Sequence, residues 1–291
     1  MKKEIWKKLR EYEIQVKKVL SASRQGRFRS IFKGSGLEFD EIRPYQYGDD
    51  LRIIDWNASV KGHGLYVKSF KEEREQFVFF LVDVSASQRL RAKDLLWREL
   101  TSVLMLSVFR EGGQVGLLTF TDRMEHVFPC KRSMGHMHVL LHHIFDVPPI
   151  SQGTNISKAA RYALRLLKRR SLIFLISDFM DSEDYGPSLI QLATRHELVL
   201  VSLEESLLQA WPRLGIIPFR ESETGILRWV NSSSHRFQQK IKDHTTRHRQ
   251  KLEELARKHQ MDLLSIPTQE NYVPLLVKFF KQRILRQKHR I

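Results

Sequence analysis

Asp83, Ser85 and Ser87 stand at alternate positions in the run LVDVSAS. One carboxylate and two hydroxyls at that spacing can turn toward a common point if the loop is extended. An all-oxygen group suits a hard cation such as Mg²⁺, which prefers octahedral oxygen ligands and keeps several waters. Three ligands make a weak cage, so the chemistry needs help from other segments. Thr154 sits in SQGTNISKAARYAL, in a glycine-containing loop just ahead of a helical pattern, and Asp178 follows the apolar run LIFLIS. Each residue also has a plainer alternative. Asp and Ser satisfy loop amides, and Thr154 or Asp178 can serve as a helix N-cap.

The elements that must position these residues alternate along the chain. Strand patterns fall at 77–82, 115–120, 125–129, 171–177, 198–203 and 262–266. Helical patterns fall at 92–110, 136–145, 157–169, 187–195, 235–259 and 273–287. Four of the strands are nearly continuous apolar runs, as a sheet covered on both faces requires, and helical connections join parallel strands. The short link at 121–124 implies one antiparallel edge hairpin. The expected fold is therefore α/β: a doubly wound, mostly parallel six-stranded sheet with helices on both faces. In the order 3-2-1-4-5-6 the first and fourth strands are neighbours, and ligands bind where the order reverses. Asp83 and Asp178 would meet there.

Residues 1–76 lack this rhythm. Three regions are expected: a basic N-terminal helix and linker at 1–33, an arm packing on the sheet at 34–76, and the α/β domain at 77–291. The arm holds Glu38, Asp40, Glu41, Arg43, Asp49, Asp50, Arg52 and Asp55 around a Gly48-Asp49-Asp50 turn. Acids alternating with arginines favour an ion-paired turn, with Tyr45 and Trp56 as plugs, over a second catalytic carboxylate cluster. A hairpin or loop is expected at 211–231.

Composition narrows the function. The 291 residues carry a net charge of +16, which attracts polyanions, yet no aromatics interleave with the basic runs in the way that stacks bases. No apolar run is long enough for a signal segment or a membrane span, and the chain reads as cytoplasmic. The single cysteine, Cys130, rules out an internal disulfide and suits packing at a strand end. Neither G-x-x-x-x-G-K-S/T nor G-x-G-x-x-G occurs, and no G-x-S-x-G elbow surrounds Ser85 or Ser87. His138 and His142 have i,i+4 zinc spacing, but no Cys or Glu completes the pattern. A histidine-rich surface helix carrying His136, His138, His142 and His143 is the better reading.

Asp83, Ser85, Ser87, Thr154 and Asp178 together resemble the metal-ion-dependent adhesion site of von Willebrand factor A domains. A more specific match is the run GSGLEFDEIRPYQYGDDLRIIDWNAS at 34–59, continued by 68–73, DVSAS and ISDF. It resembles the MoxR-associated, von Willebrand factor A-like family of bacterial proteins known as DUF family fifty-eight, well over 34–180 and loosely beyond. The resemblance implies that Ser85, Ser87 and Thr154 touch an Mg²⁺ or Mn²⁺ ion directly, while Asp83 and Asp178 act through water. It implies that a carboxylate from a protein partner fills the open position. It further implies a non-enzymatic adaptor or co-chaperone working with a MoxR-type AAA+ ATPase or its client. The chain departs from family habit at Gln88 and Arg89, where Met and smaller residues are common, which would alter the rim facing a partner. The competing readings are a metal-dependent phosphoesterase or nuclease using Asp83, Asp178 and Asp181 or the arm acids, and a basic nucleic-acid-binding module.

Overall fold

The computed structural model describes residues 38–50, 53–61, 64–71, 76–89, 91–146, 148–181, 183–205, 214–220 and 227–288. It divides at residue 77 into two compact units, the smaller spanning 32–76. The expected basic helix and linker at 1–33 lie outside the described residues.

In the smaller unit, β1 (Glu38–Pro44) pairs antiparallel with β2 (Tyr66–Lys71), and α1 (Trp56–Lys61) lies between them in sequence. The ion-paired turn is present. The Arg43 guanidinium grips both oxygens of Asp49, at 2.8 and 2.7 Å, and holds that carboxyl below the usual range. The turn closes through an Asp49 amide bond to the Gln46 carbonyl, with Gly48 at φ +105°, a conformation that glycine adopts without steric cost. Asp55 accepts from the Ala58 amide at 3.1 Å and so caps α1. Trp56 is not a plug: it is 65% exposed at the first position of this short helix, and the buried apolar residues among those described in the unit are Ile54 and Val67.

The larger unit begins with β3 (Phe77–Asp83) and continues through α2 (Arg91–Arg110), β4 (Gln114–Phe120), β5 (Met124–Lys131) and α3 (Met134–Asp146). It proceeds through α4 (Ile156–Leu166), β6 (Leu172–Ser177), α5 (Gly186–Arg195) and β7 (Glu197–Glu204). The hairpin β8 (Ile216–Arg220) and β9 (Leu227–Asn231), the long α6 (His235–Lys258), β10 (Asp262–Pro267) and α7 (Tyr272–Lys288) complete it. Six strands form one sheet in the order β10-β7-β6-β3-β4-β5, parallel except for the β4–β5 edge pair. Counted along the chain, that is the doubly wound order 3-2-1-4-5-6, a von Willebrand factor A-like arrangement.

The apolar runs do what their composition demands. Every residue of β6, and all of β3 but its first, is buried. Phe79, Leu81, Ile173 and Leu175 share a core with Ala159 and Ala163 of α4, Leu189 and Leu192 of α5, and Leu252 and Ala256 of α6. Alternate residues face the other side, where the Phe80 and Phe174 rings stack at 5.2 Å. Right-handed crossovers place α2 there, against β4 and α3.

Many element ends shift by one to three residues from the sequence reading, and two of the shifts have a clear physical cause. The β5 strand runs on through Pro129 to Lys131, which an edge strand with a bulge permits because the missing proline donor faces no partner. The α4 helix stops at Leu166, not Arg169. Leu167 already turns extended so that the basic run can lead into β6.

Candidate metal centre

Strand register decides which side chains meet. Val82 pairs with Ile176 across the parallel β3–β6 ladder, so Asp83 and Ser177 leave the sheet side by side and Asp178 follows at once. Asp83 is 1% exposed. Its Oδ2 accepts the Ser177 hydroxyl at 2.7 Å and its Oδ1 accepts the Ser85 amide at 2.9 Å. The Ser85 and Ser87 hydroxyl oxygens lie 3.2 Å apart. The hydroxyls do approach each other, but not through the extended loop the sequence reading assumed: the chain tightens into a 3-10 turn at Ala86–Arg89, and that turn brings Ser87 back beside Ser85.

Thr154 arrives on a loop tied to the same turn. The Ala86 amide donates to the Gln152 carbonyl at 2.9 Å, and the Asn155 amide donates to the Thr121 carbonyl at 3.0 Å. The plainer reading of Thr154 fails, since the N-cap of α4 is Asn155, whose side chain accepts from the Lys158 amide at 2.8 Å. Asp178 is no helix cap either, because α5 begins only after Tyr185. Instead Asp178 Oδ1 accepts the Met180 amide at 3.1 Å. Between them Phe179 holds a left-handed φ of 59°, an uncommon conformation for a bulky residue. Its buried ring compensates, and the turn lets Asp181 accept the Ile156 amide at the start of α4.

Electrostatics make the group unusual. Burial pushes the Asp83 carboxyl up to about 7, and the nearby Asp178 charge pushes the same way, against the bonds from Ser177 and Ser85. A desolvated carboxylate beside a second one calls for a proton or a cation. Asp83, Asp178, Ser85 and Ser87 offer oxygen alone, a donor chemistry that fits Mg²⁺ or Mn²⁺. Among the described residues no three His, Cys, Asp or Glu side chains gather to hold a metal.

Three participants escaped the sequence reading: Ser177, Lys93 and Glu205. The Lys93 ammonium reaches Asp178 Oδ2 at 2.8 Å and lies 4.0 Å from Glu205 Oε2. Its signal was present, since Lys93 falls on the buried stripe of α2 with Trp97, Leu100 and Leu104. A cavity of about 640 Å³ opens beside the pair, lined by Lys93, Asp178, Glu204, Glu205, His248 and Arg249 among others.

Residues 41–251 match the family model described as "Protein of unknown function DUF58". The chain belongs to the DUF58 family. The match reaches well past residue 180, so the family pattern extends through most of α6. Among similar proteins is "Uncharacterized protein Rv1480" of Mycobacterium tuberculosis, 25% identical over 285 residues, covering 94% of this chain and 88% of that one. Solved structures of similar shape include BatB from Bacteroides thetaiotaomicron, with a TM-score of 0.48, 12% identity, 72% of this chain and 99% of that chain covered. Another is the SpRpn10 VWA domain, with a TM-score of 0.40, 16% identity, and coverage of 71% and 94%.

Other candidate residues of this DUF58 chain resolve into packing. Gln88 is not on a rim: it is 1% exposed, and both of its amide atoms lack a partner. Arg89 leans on the 149–151 loop, donating to the Pro149 and Ser151 carbonyls at 3.4 and 3.3 Å. The histidines of α3 go separate ways. His136 bonds the Val115 carbonyl, His142 sits near Asp146, and His143 is buried against Thr119. The helix is therefore only partly a surface one. Burial raises the Cys130 thiol to about 12, and the sulfur packs where Gly116 leaves room beside Phe79. Among the described residues no helix is long and apolar enough to cross a membrane.

Proposed function

We propose that this DUF58 chain is a non-enzymatic, metal-dependent protein-interaction module acting in the cytoplasm. Asp83, Ser85, Ser87, Thr154 and Asp178 would hold one Mg²⁺ or Mn²⁺. When bound, that ion supplies positive charge and an open coordination position for an acidic residue of a partner. The observation that carries the reading is the burial of two carboxylates and clustered hydroxyls at the point where the strand order reverses. The Ser177 hydroxyl and the Ser85 amide orient Asp83, while the Met180 amide orients Asp178. By its family resemblance, the partner is a MoxR-type AAA+ ATPase or one of its clients.

The test is an affinity capture from nuclease-treated lysate, with wild type and Asp83→Ala as baits, each in Mg²⁺ or EDTA. Retention of an AAA+ ATPase by wild type in Mg²⁺ alone is expected, with Asp83→Ala still folded by circular dichroism. Equal capture by all baits would sink the reading. Mg²⁺-dependent phosphodiester hydrolysis lost in Asp83→Ala would replace it with the hydrolase alternative.

A further inference from the structure

Lys93 occupies the first turn of α2, on the stripe where that helix otherwise buries Trp97, Leu100 and Leu104. It is 4% exposed. Burying an ammonium there costs several kcal/mol in desolvation that an apolar residue would avoid. The ammonium lies on Asp178 Oδ2, while the other oxygen of that carboxylate takes the Met180 amide. Lys93 thus claims an oxygen that a metal centre at this position would draw on.

We propose that Lys93 is a tethered counter-cation that keeps the centre's affinity for a free divalent ion low and makes occupancy depend on an incoming carboxylate. The inference rests on the metal reading above. The ammonium lies on Asp178, with Glu205 as a further carboxylate 4.0 Å away, so a divalent ion drawing on Asp178 must face or displace a positive charge. A partner's carboxylate bound to that ion is attracted by the same ammonium and offsets part of the repulsion. Without the ammonium, the ion would bind more readily and the added carboxylate would gain less.

Glu205 gives the ammonium somewhere to go. Its Oε2 stands 4.0 Å from Lys93 Nζ, on the wall of the same cavity, and its side chain is 19% exposed. A modest rotation of the lysine stem exchanges Asp178 for Glu205 and frees the Asp178 oxygen. This makes Glu205 a positioning residue for Lys93.

The experiment is titration of the full chain with Mn²⁺ at fixed pH, followed by calorimetry and by the electron paramagnetic signal of free Mn²⁺. Lys93→Gln keeps a donor for Asp178 but removes the charge, and is expected to bind Mn²⁺ about tenfold tighter or more. Glu205→Gln is expected to bind several-fold more weakly than wild type. Acetate, as a minimal carboxylate, should tighten Mn²⁺ binding more in wild type than in Lys93→Gln. A lysine that serves folding alone would leave the Mn²⁺ affinity of folded Lys93→Gln, and its response to acetate, at the wild-type values. Melting in EDTA checks folding; should Lys93→Gln fail it, Lys93→Met, an apolar replacement of similar length, takes its place with the same expected result. Equal or weaker Mn²⁺ binding by folded Lys93→Gln overturns the counter-cation role and leaves the metal centre standing. Absence of Mn²⁺ binding in every variant overturns both.

Discussion

The central sheet buries ion pairs at both of its ends, and the two are built for opposite purposes. At the amino end, Arg283 of α7 is 3% exposed and lies 2.6 Å from Glu197 and 3.0 Å from Asp262, the first residues of β7 and β10. Those carboxylates keep a share of solvent, and Arg170 and Arg286 also approach them. Four ion-pair approaches tie Arg283, Arg170 and Arg286 to these two carboxylates, so the cluster acts as a lock between helix and sheet. At the carboxyl end, Asp83 and Asp178 are both buried, and the Lys93 ammonium lies on Asp178, while Asp83 accepts the Ser177 hydroxyl and the Ser85 amide. The same chemistry, carried deeper, leaves an unsettled charge. Burial without enough counter-charge is what separates a binding site from a staple.

The comparison can be broken first at the lock. Arg283→Ala should destabilise the protein by about 3 kcal/mol in urea titrations, since it removes a buried cation and its packing while the carboxylates regain water. A loss under 1 kcal/mol would mean that the amino end does not depend on this pair (~1 kcal/mol is the usual worth of an exposed bridge). The next largest effect concerns pH at the other end. Asp83 titrates near 7 in the fold against 3.8 for a free aspartate, so the metal-free fold holds this proton more tightly than the unfolded chain. Its contribution to stability is therefore full below the unfolded value, declines as pH rises through 7, and is flat beyond. In EDTA, wild type should lose a few kcal/mol relative to Asp83→Asn over that window, and saturating Mg²⁺ should abolish the difference. Parallel pH profiles for the two proteins would show that the carboxyl end is as settled as the amino end.

Smaller effects sharpen the picture. Gln88→Met removes a buried amide without partners beside the site and should stabilise the fold by about 1 kcal/mol, read from the urea midpoint. Destabilisation would reveal a bond that Gln88 makes to solvent or ligand. His142→Ala should change stability by no more than about 0.5 kcal/mol, because its ion pair with Asp146 is exposed. It should also leave metal affinity untouched; a drop would reopen the histidine face of α3 as a metal site.

Much of the fold was legible because it rests on local pattern. Runs such as FVFFLVD and LIFLIS read as strands covered on both faces, and the short link before Met124 read as an antiparallel edge. The arm turn was legible in the same way, since Gly48 and the Arg43/Asp49 pair lie six residues or fewer apart. Errors fell where solvent access decides. Trp56 looked like a plug and is exposed, while Gln88 and His143 looked superficial and are buried. Pro129 looked like a strand end, and only its place at the sheet edge lets the strand continue.

The strands, and the doubly wound order that puts Asp83 and Asp178 at adjacent strand ends, were legible in the sequence alone, because hydrophobic periodicity and connection length are local properties. Which neighbours complete the charge balance was decided only by tertiary structure. Lys93 and Asp178 stand 85 positions apart, and no spacing rule links them. They meet because α2 packs its buried stripe beneath the carboxyl end of β6, where low dielectric turns an ordinary lysine into the counter-charge of the site.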